Sequence, residues 1–309
     1  MGTLVKITLY TTDEQAATKA FRSAFDRIGE LDRILSDYKA DSELNRIATT
    51  AVDQAVHVSD DLFTVLAASH QLAVATGGAF DVTQGPVIRL WREARRTSRL
   101  PDAAALKEAA SRSGYRKLHL DVVNHMVWLD QKGMSLDVGA IGKGYAASEA
   151  LEVLGRLGVR SALVAVSGDL AFSDAPPGER GWRIDIRPDD PALAAAPRVL
   201  ELTNAAVSTS GSTQQHLDTA AQRYSHVIDP SSGMGLTEDI TVTVIAPTGL
   251  ESDGLDTAVS VLGRERGLAL IESRPGVAAI IIRRTKSGTD IAMSSRFREL
   301  AAGHGAVPR

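Results

Sequence analysis

Apolar positions along the chain alternate between a spacing of two and a spacing near 3.6, and that switching predicts most of the secondary structure. VKITLY at the start places Val5, Ile7 and Leu9 on one face of a half-buried strand. Phe21, Phe25, Ile28, Leu31 and Leu35 then recur at helical spacing, and Thr12 with Gln15 offers a capping box, so a long amphipathic helix is predicted. A second helix is predicted after Ser59, ending at Gly77-Gly78, and a short one from Gly85-Pro86 through Trp91. RKLHLD and HMVWLD predict a hairpin around Val123-Asn124. A strand near Leu136, a helix to Leu157, and strands in SALVAVS, WRIDIR, AVSTSG, RYSHVID and ITVTVIA follow. Helices over Asp253–Leu262 and Glu265–Ser273 precede a closing hairpin of VAAIIIRR and TDIAMS. Strands that are neighbours in sequence, with helices interspersed, predict an α+β fold of mixed, largely antiparallel sheets with flanking helices. PPGER and PDDPALAAAP read as surface excursions, so residues 1–309 are expected to form a single domain.

Composition narrows the chemistry more than the fold. The absence of cysteine excludes disulfides, thiolate metal sites and a cysteine nucleophile. A net charge of −4 carries no basic footprint, so no nucleic-acid partner is expected. The longest strongly apolar run, Val277–Ile282, is too short for a membrane span. The seven histidines form no metal-spaced pair and no H-E-x-x-H motif, which argues against a zinc hydrolase.

LDVGAIGKGYA, residues 136–146, is the glycine-rich stretch most suited to holding a ligand. It is not a P-loop: Asp137 stands where the first glycine belongs, and Gly144 replaces the Ser or Thr after the lysine. Its glycine spacing also fails the Rossmann pattern. Asp253, Asp256 and Thr257 stand at i, i+3 and i+4, which places them on one face of a helix. Two carboxylates and a hydroxyl make a hard-oxygen cluster suited to Mg²⁺, although acidic residues also gather at helix starts for dipole reasons. His226 in RYSHVIDP is a candidate general base or a packed histidine. Ser167-Gly168-Asp169 ends a buried strand with a glycine that admits close backbone approach. Phe80-Asp81 and Tyr38 are aromatics beside polar turns, able to stack on a ring or to plug the core. Arg92, Arg95, Arg96 and Arg99 read as a solvated helix face.

In their order along the chain these segments resemble the FAD:protein FMN transferase (ApbE-type) family. The matching stretches are MGT, SDYKADSELNR, GGAFDVTQGPVIRLW, LDVGAIGKGYA, AVSGDL, STSG, RYSHVIDPSSG and DGLDTAVSVLG, from the first residue to about residue 272. The resemblance implies an ApbE-like flavin transferase fold, in which the glycine-rich loop clasps FAD and a magnesium ion. By that resemblance Met1, Tyr38, Ala79, Phe80, Asp81, Asp137, Lys143 and Ile228 contact FAD. Ala140, through its carbonyl, joins Asp253, Asp256 and Thr257 as metal ligands, and His226 serves as base. Two stretches depart from the family pattern: Ser167 stands where glycine is usual, and STQQHLDTAAQ lacks the usual aromatics.

The implied reaction is transfer of FMN from FAD to a threonine or serine hydroxyl of a client flavoprotein, with release of AMP. FAD is then substrate and Mg²⁺ the cofactor. An FAD pyrophosphatase would use the same site with water as acceptor, and a non-catalytic flavin-binding protein is the third reading. The compartment implied is periplasmic if an export leader was removed ahead of MGT, and cytoplasmic otherwise.

Overall fold

A computed structural model describes residues 3–52, 54–186, 199–211, 216–219 and 222–302. Met1, PDDPALAAAP and part of STQQHLDTAAQ lie outside them. The helices among the described residues are α1 (Glu14–Leu35), α2 (Glu43–Thr50), α3 (Asp60–Thr76), α4 (Gly85–Thr97), α5 (Ala103–Ser111), α6 (Gly142–Arg156), α7 (Gly249–Glu272) and α8 (Ser295–Ala302).

The centre is a seven-stranded sheet whose strand order equals chain order: Val5–Tyr10, Ser161–Val166, Asp169–Phe172, Ala205–Gly211, Asp239–Ala246, Ala278–Thr285 and Gly288–Met293. Every neighbouring pair in it is antiparallel. Because side chains alternate across a strand, the middle strands feed two cores. Val242, Val244, Ala279 and Ile281 face the helical side with α3 and α7. Ile245, Ala278, Ile280 and Ile282 face the other side, covered by the Trp182–Asp185/Val199–Leu202 pair and by Phe297 of α8. WRIDIR is therefore a cover strand, outside the central sheet. A small sheet orders Val56–His57, Met126–Leu129 and Leu118–Asp121, and contains the expected hairpin.

Several boundaries differ from the pattern reading for physical reasons. The N-cap of α1 is Asp13, whose carboxylate accepts from the Gln15 and Ala16 amides, and not Thr12. The buried face of α1 runs Ala20, Ala24, Ile28, Leu31, Leu35, which leaves Phe25 exposed. The small alanines let α1 pack against Ala147 and Ala150 of α6. The predicted strand near Leu136 is instead irregular chain leading into the loop. RYSHVID is not one strand: it splits into Arg223–Ser225 and Ile228–Asp229, with a bend at His226. α4 runs on from Trp91 to Thr97, and α7 begins at Gly249 under a Thr248 cap. The break expected between the last two long helices is a single non-helical residue, Gly263 at φ 72°.

Candidate active site

α6 and α7 begin side by side. A Cβ added to Gly144 would lie 2.6 Å from the Gly249 carbonyl carbon and 2.7 Å from Asp253 Cβ. The glycine of the GKG run therefore permits backbone contact between two helix starts. Two hydrogen bonds fix the crossing: Gly249 N donates to Ser148 Oγ at 2.8 Å, and Gly144 N donates to Asp253 Oδ2 at 2.8 Å.

That crossing brings the chemistry together. Asp253 and Asp256, 2% and 3% exposed, point inward and do not cap α7 or face solvent. Asp169 joins them from the central sheet, and one carboxylate oxygen from each of the three lies within 4.8 Å of the others. Thr257 Oγ1 donates to Asp256 Oδ1 at 3.1 Å. Lys143 Nζ reaches Asp169 Oδ2 at 2.8 Å and Asp253 Oδ1 at 3.0 Å. Burial, then repulsion from Asp169, pushes the Asp253 carboxyl up to about 6 against the opposing pull of Lys143. Burial and its two acidic neighbours drive Asp256 well above the usual carboxylate range. Burial alone would lower the Lys143 ammonium, but Asp253 and Asp169 outweigh it and hold it above the usual lysine value. When all are ionised, three carboxylates against one ammonium leave two negative charges in a buried space. That donor set suits a hard divalent cation.

Asp169 is the residue the sequence reading missed. Its sequence signal is only the turn before it, Ser167-Gly168, a two-residue hairpin between Val166 and Asp169. Ser167 adopts φ 59°, the left-handed region that favours glycine.

A second cluster sits at the other end of the glycine-rich loop. Asp137 is buried, and its Oδ2 accepts from Arg92 at 2.7 Å. The other terminal nitrogen of Arg92 donates to Asp37, and its guanidinium carbon lies 4.3 Å from the centre of the Tyr38 ring. Arg92 is thus no part of a solvated helix face, because Trp91 beside it anchors α4 and turns Arg92 toward these acids. Arg96 and Arg99 of the same group are exposed as expected. The Asp137 amide donates to Val82 O at 2.8 Å, joining the loop to the GAFDV segment. There Asp81 caps a short 3-10 turn, accepting from the Thr83 amide and hydroxyl, and burial raises its carboxyl. Phe80, 2% exposed, packs in the main core, and Ala79 beside it is half-buried. Ala140, half-buried, lies on the turn between the two clusters.

His226, half-buried, occupies a bend held on both sides. Val227 N donates to Ser225 Oγ, Ser225 N to Leu236 O, and Leu236 N to Val227 O. Asp229 is occupied by the amide and hydroxyl of Ser231 and the hydroxyl of Ser232. Ile228 packs with Val87 and Trp91, and Trp91 Nε1 donates to Gly233 O at 2.8 Å, so this bend is carried by α4. Two surface hollows of about 770 and 570 Å³ flank the small sheet and are lined by none of the candidate site residues. No described helix is long and apolar enough to cross a membrane.

A model of the ApbE family matches residues 1–281. An FAD:protein FMN transferase of Klebsiella pneumoniae is 31% identical over 310 residues, covering 98% of this chain and 88% of that one. The solved apo form of the Pseudomonas stutzeri flavinyl transferase ApbE superposes with a TM-score of 0.84 at 31% identity, covering 100% of this chain and 95% of that one. The Vibrio cholerae flavin transferase ApbE gives 0.86 at 26% identity, covering 97% and 96%. With a family model spanning most of its length and relatives aligned nearly end to end, the chain belongs to the ApbE family.

Proposed function

We propose that the protein is a Mg²⁺-dependent FAD:protein FMN transferase acting on a Thr or Ser hydroxyl of a client protein, with residues 1–309 working as one catalytic unit. The observation that carries this reading is the buried Asp169, Asp253 and Asp256 group around Lys143, joined by one short loop to the Tyr38–Arg92–Asp137 cluster. One end suits a pyrophosphate with its cation, and the other suits a flat ring. The name of a relative supplies the substrate class: the Klebsiella pneumoniae protein compared above is an FAD:protein FMN transferase.

Asp253, Asp256 and Thr257, with the Ala140 carbonyl, would hold Mg²⁺, and Asp169 adds a carboxylate that the sequence did not suggest. The cation would offset charge on the pyrophosphate oxygens. Lys143, tethered between Asp169 and Asp253, keeps a fixed positive charge beside the same group. Tyr38, exposed at the edge of the site, offers a stacking surface, and Asp137 accepts hydrogen bonds from the flavin nucleotide. The acceptor hydroxyl oxygen bonds to the FMN-side phosphorus, the bond to the AMP-side oxygen breaks, and AMP leaves with that electron pair. His226 takes the hydroxyl proton, a contribution of about 10²–10⁴-fold.

The test is incubation with FAD, Mg²⁺ and a candidate acceptor protein, reading AMP release and acceptor mass. Mg²⁺-dependent AMP release matched by FMN-sized mass gain supports the reading. AMP release that ignores the acceptor would make the protein an FAD pyrophosphatase, and FAD binding without AMP release would make it a carrier.

A further inference from the structure

We infer that Arg92 is the positioning residue of the flavin platform: it bridges Asp37 and Asp137 and covers one face of Tyr38, fixing together two groups that are far apart in sequence. The inference rests on the proposed assignment of Tyr38 and Asp137 to FAD.

The geometry is that of a planar fork. One terminal nitrogen of Arg92 binds Asp37 and the other binds Asp137 at 2.7 Å, while the guanidinium carbon lies over the Tyr38 ring, 4.3 Å from its centre. A lysine ammonium is a point charge without the fork that reaches two carboxylates from one planar group. Asp37 is the chain neighbour of Tyr38, so its bond to Arg92 also restrains the backbone that carries the ring. Tyr38 is 72% exposed, so with Arg92 on one face the rest of the ring remains open to an incoming flat ligand. Asp137 is raised by burial and by Asp37, and Arg92 opposes both effects. Without the guanidinium, two carboxylates would face each other at the edge of the site and push apart. The support behind Arg92 is rigid: Trp91 is fully buried, and its Nε1 donates to Gly233 O.

The test is FAD titration, by flavin fluorescence and calorimetry with Mg²⁺ present, of the full chain and of Arg92→Met, Arg92→Lys, Asp37→Asn, Tyr38→Ala and the Arg92→Met/Tyr38→Ala double variant. Arg92→Met is expected to weaken FAD binding about ten- to a hundredfold, with less quenching of bound flavin. Arg92→Lys should not restore it, and the larger share of the kinetic loss should fall on KM for FAD. The double variant should bind little worse than the weaker single variant, because both changes dismantle one platform. If Arg92→Met does not fold, Asp37→Asn removes one leg of the bridge and should give an intermediate loss. Wild-type affinity in a folded Arg92→Met or Asp37→Asn, or losses that simply add in the double variant, would overturn the inference and leave the proposed function standing. A wild-type protein that binds no FAD would overturn both.

Discussion

Replacing Gly144 by alanine tests whether the glycine-rich loop serves helix crossing. The new methyl would sit 2.6 Å from the Gly249 carbonyl carbon, closer still to its oxygen, and 2.7 Å from Asp253 Cβ. Overpacking usually costs about 1–3 kcal/mol when side chains can yield. Here the atoms in the way are the backbone of the first turn of α7 and the stem of Asp253, which Gly144 N and Lys143 both hold. A cost of about 3 kcal/mol or more is expected. Gly155 provides the control on the same helix, since a Cβ there meets nothing within 4 Å. Gly155→Ala should gain about 0.5–1 kcal/mol from reduced chain entropy. Urea unfolding of the two variants should therefore differ by about 4 kcal/mol in opposite directions from wild type. Gly144→Ala should also lose Mg²⁺-dependent FAD turnover, because separating the helices moves Lys143 from Asp253. A Gly144→Ala protein with wild-type stability and turnover would show that the crossing tolerates a methyl and would refute this account.

The remaining predictions concern charge and proton transfer. Burial holds Asp253 near 6, above its ordinary 3.8, and raises Asp256 as well, so Mg²⁺ is expected to displace protons and to bind more tightly as pH rises through 6. In the metal-free protein the raised Asp253 contributes the opposite trend, with stability falling as pH rises from about 4 to about 6. Calorimetry in buffers of different ionisation enthalpy would count the released protons, and a pH-independent Mg²⁺ affinity would contradict the prediction. Asp169→Asn should weaken Mg²⁺ binding by about tenfold, since Lys143 then leans on Asp253 alone; an unchanged dissociation constant removes Asp169 from the cation site. His226→Ala should bind FAD as wild type does and lose transfer by about 10²–10⁴-fold. Loss of FAD binding with normal turnover of what remains bound would mark His226 as structural.

How far the sequence could be read depended on the distance over which each feature is determined. The shared face of Asp253, Asp256 and Thr257 follows from helical geometry alone, and the structure buries the two acids as a pair. The antiparallel character of the sheet followed from strands that neighbour one another in sequence, and the Gly77 and Gly263 breaks from local backbone freedom. RYSHVID has strand-like composition, but hydrogen bonds of Ser225 and Leu236 impose a bend at His226. Arg92 and Asp169 escaped for a different reason. Each gains its meaning from partners 45 to 84 positions away: Asp137 for Arg92, and Asp253 for Asp169. One signal for Arg92 was nonetheless present. Asp37 and Asp137 were both in segments suited to ligand binding, and two acids brought to one buried edge require a cation. Among the arginines of α4, the one beside a large apolar anchor, Trp91, is the one whose direction is fixed, so it was the candidate to supply that charge.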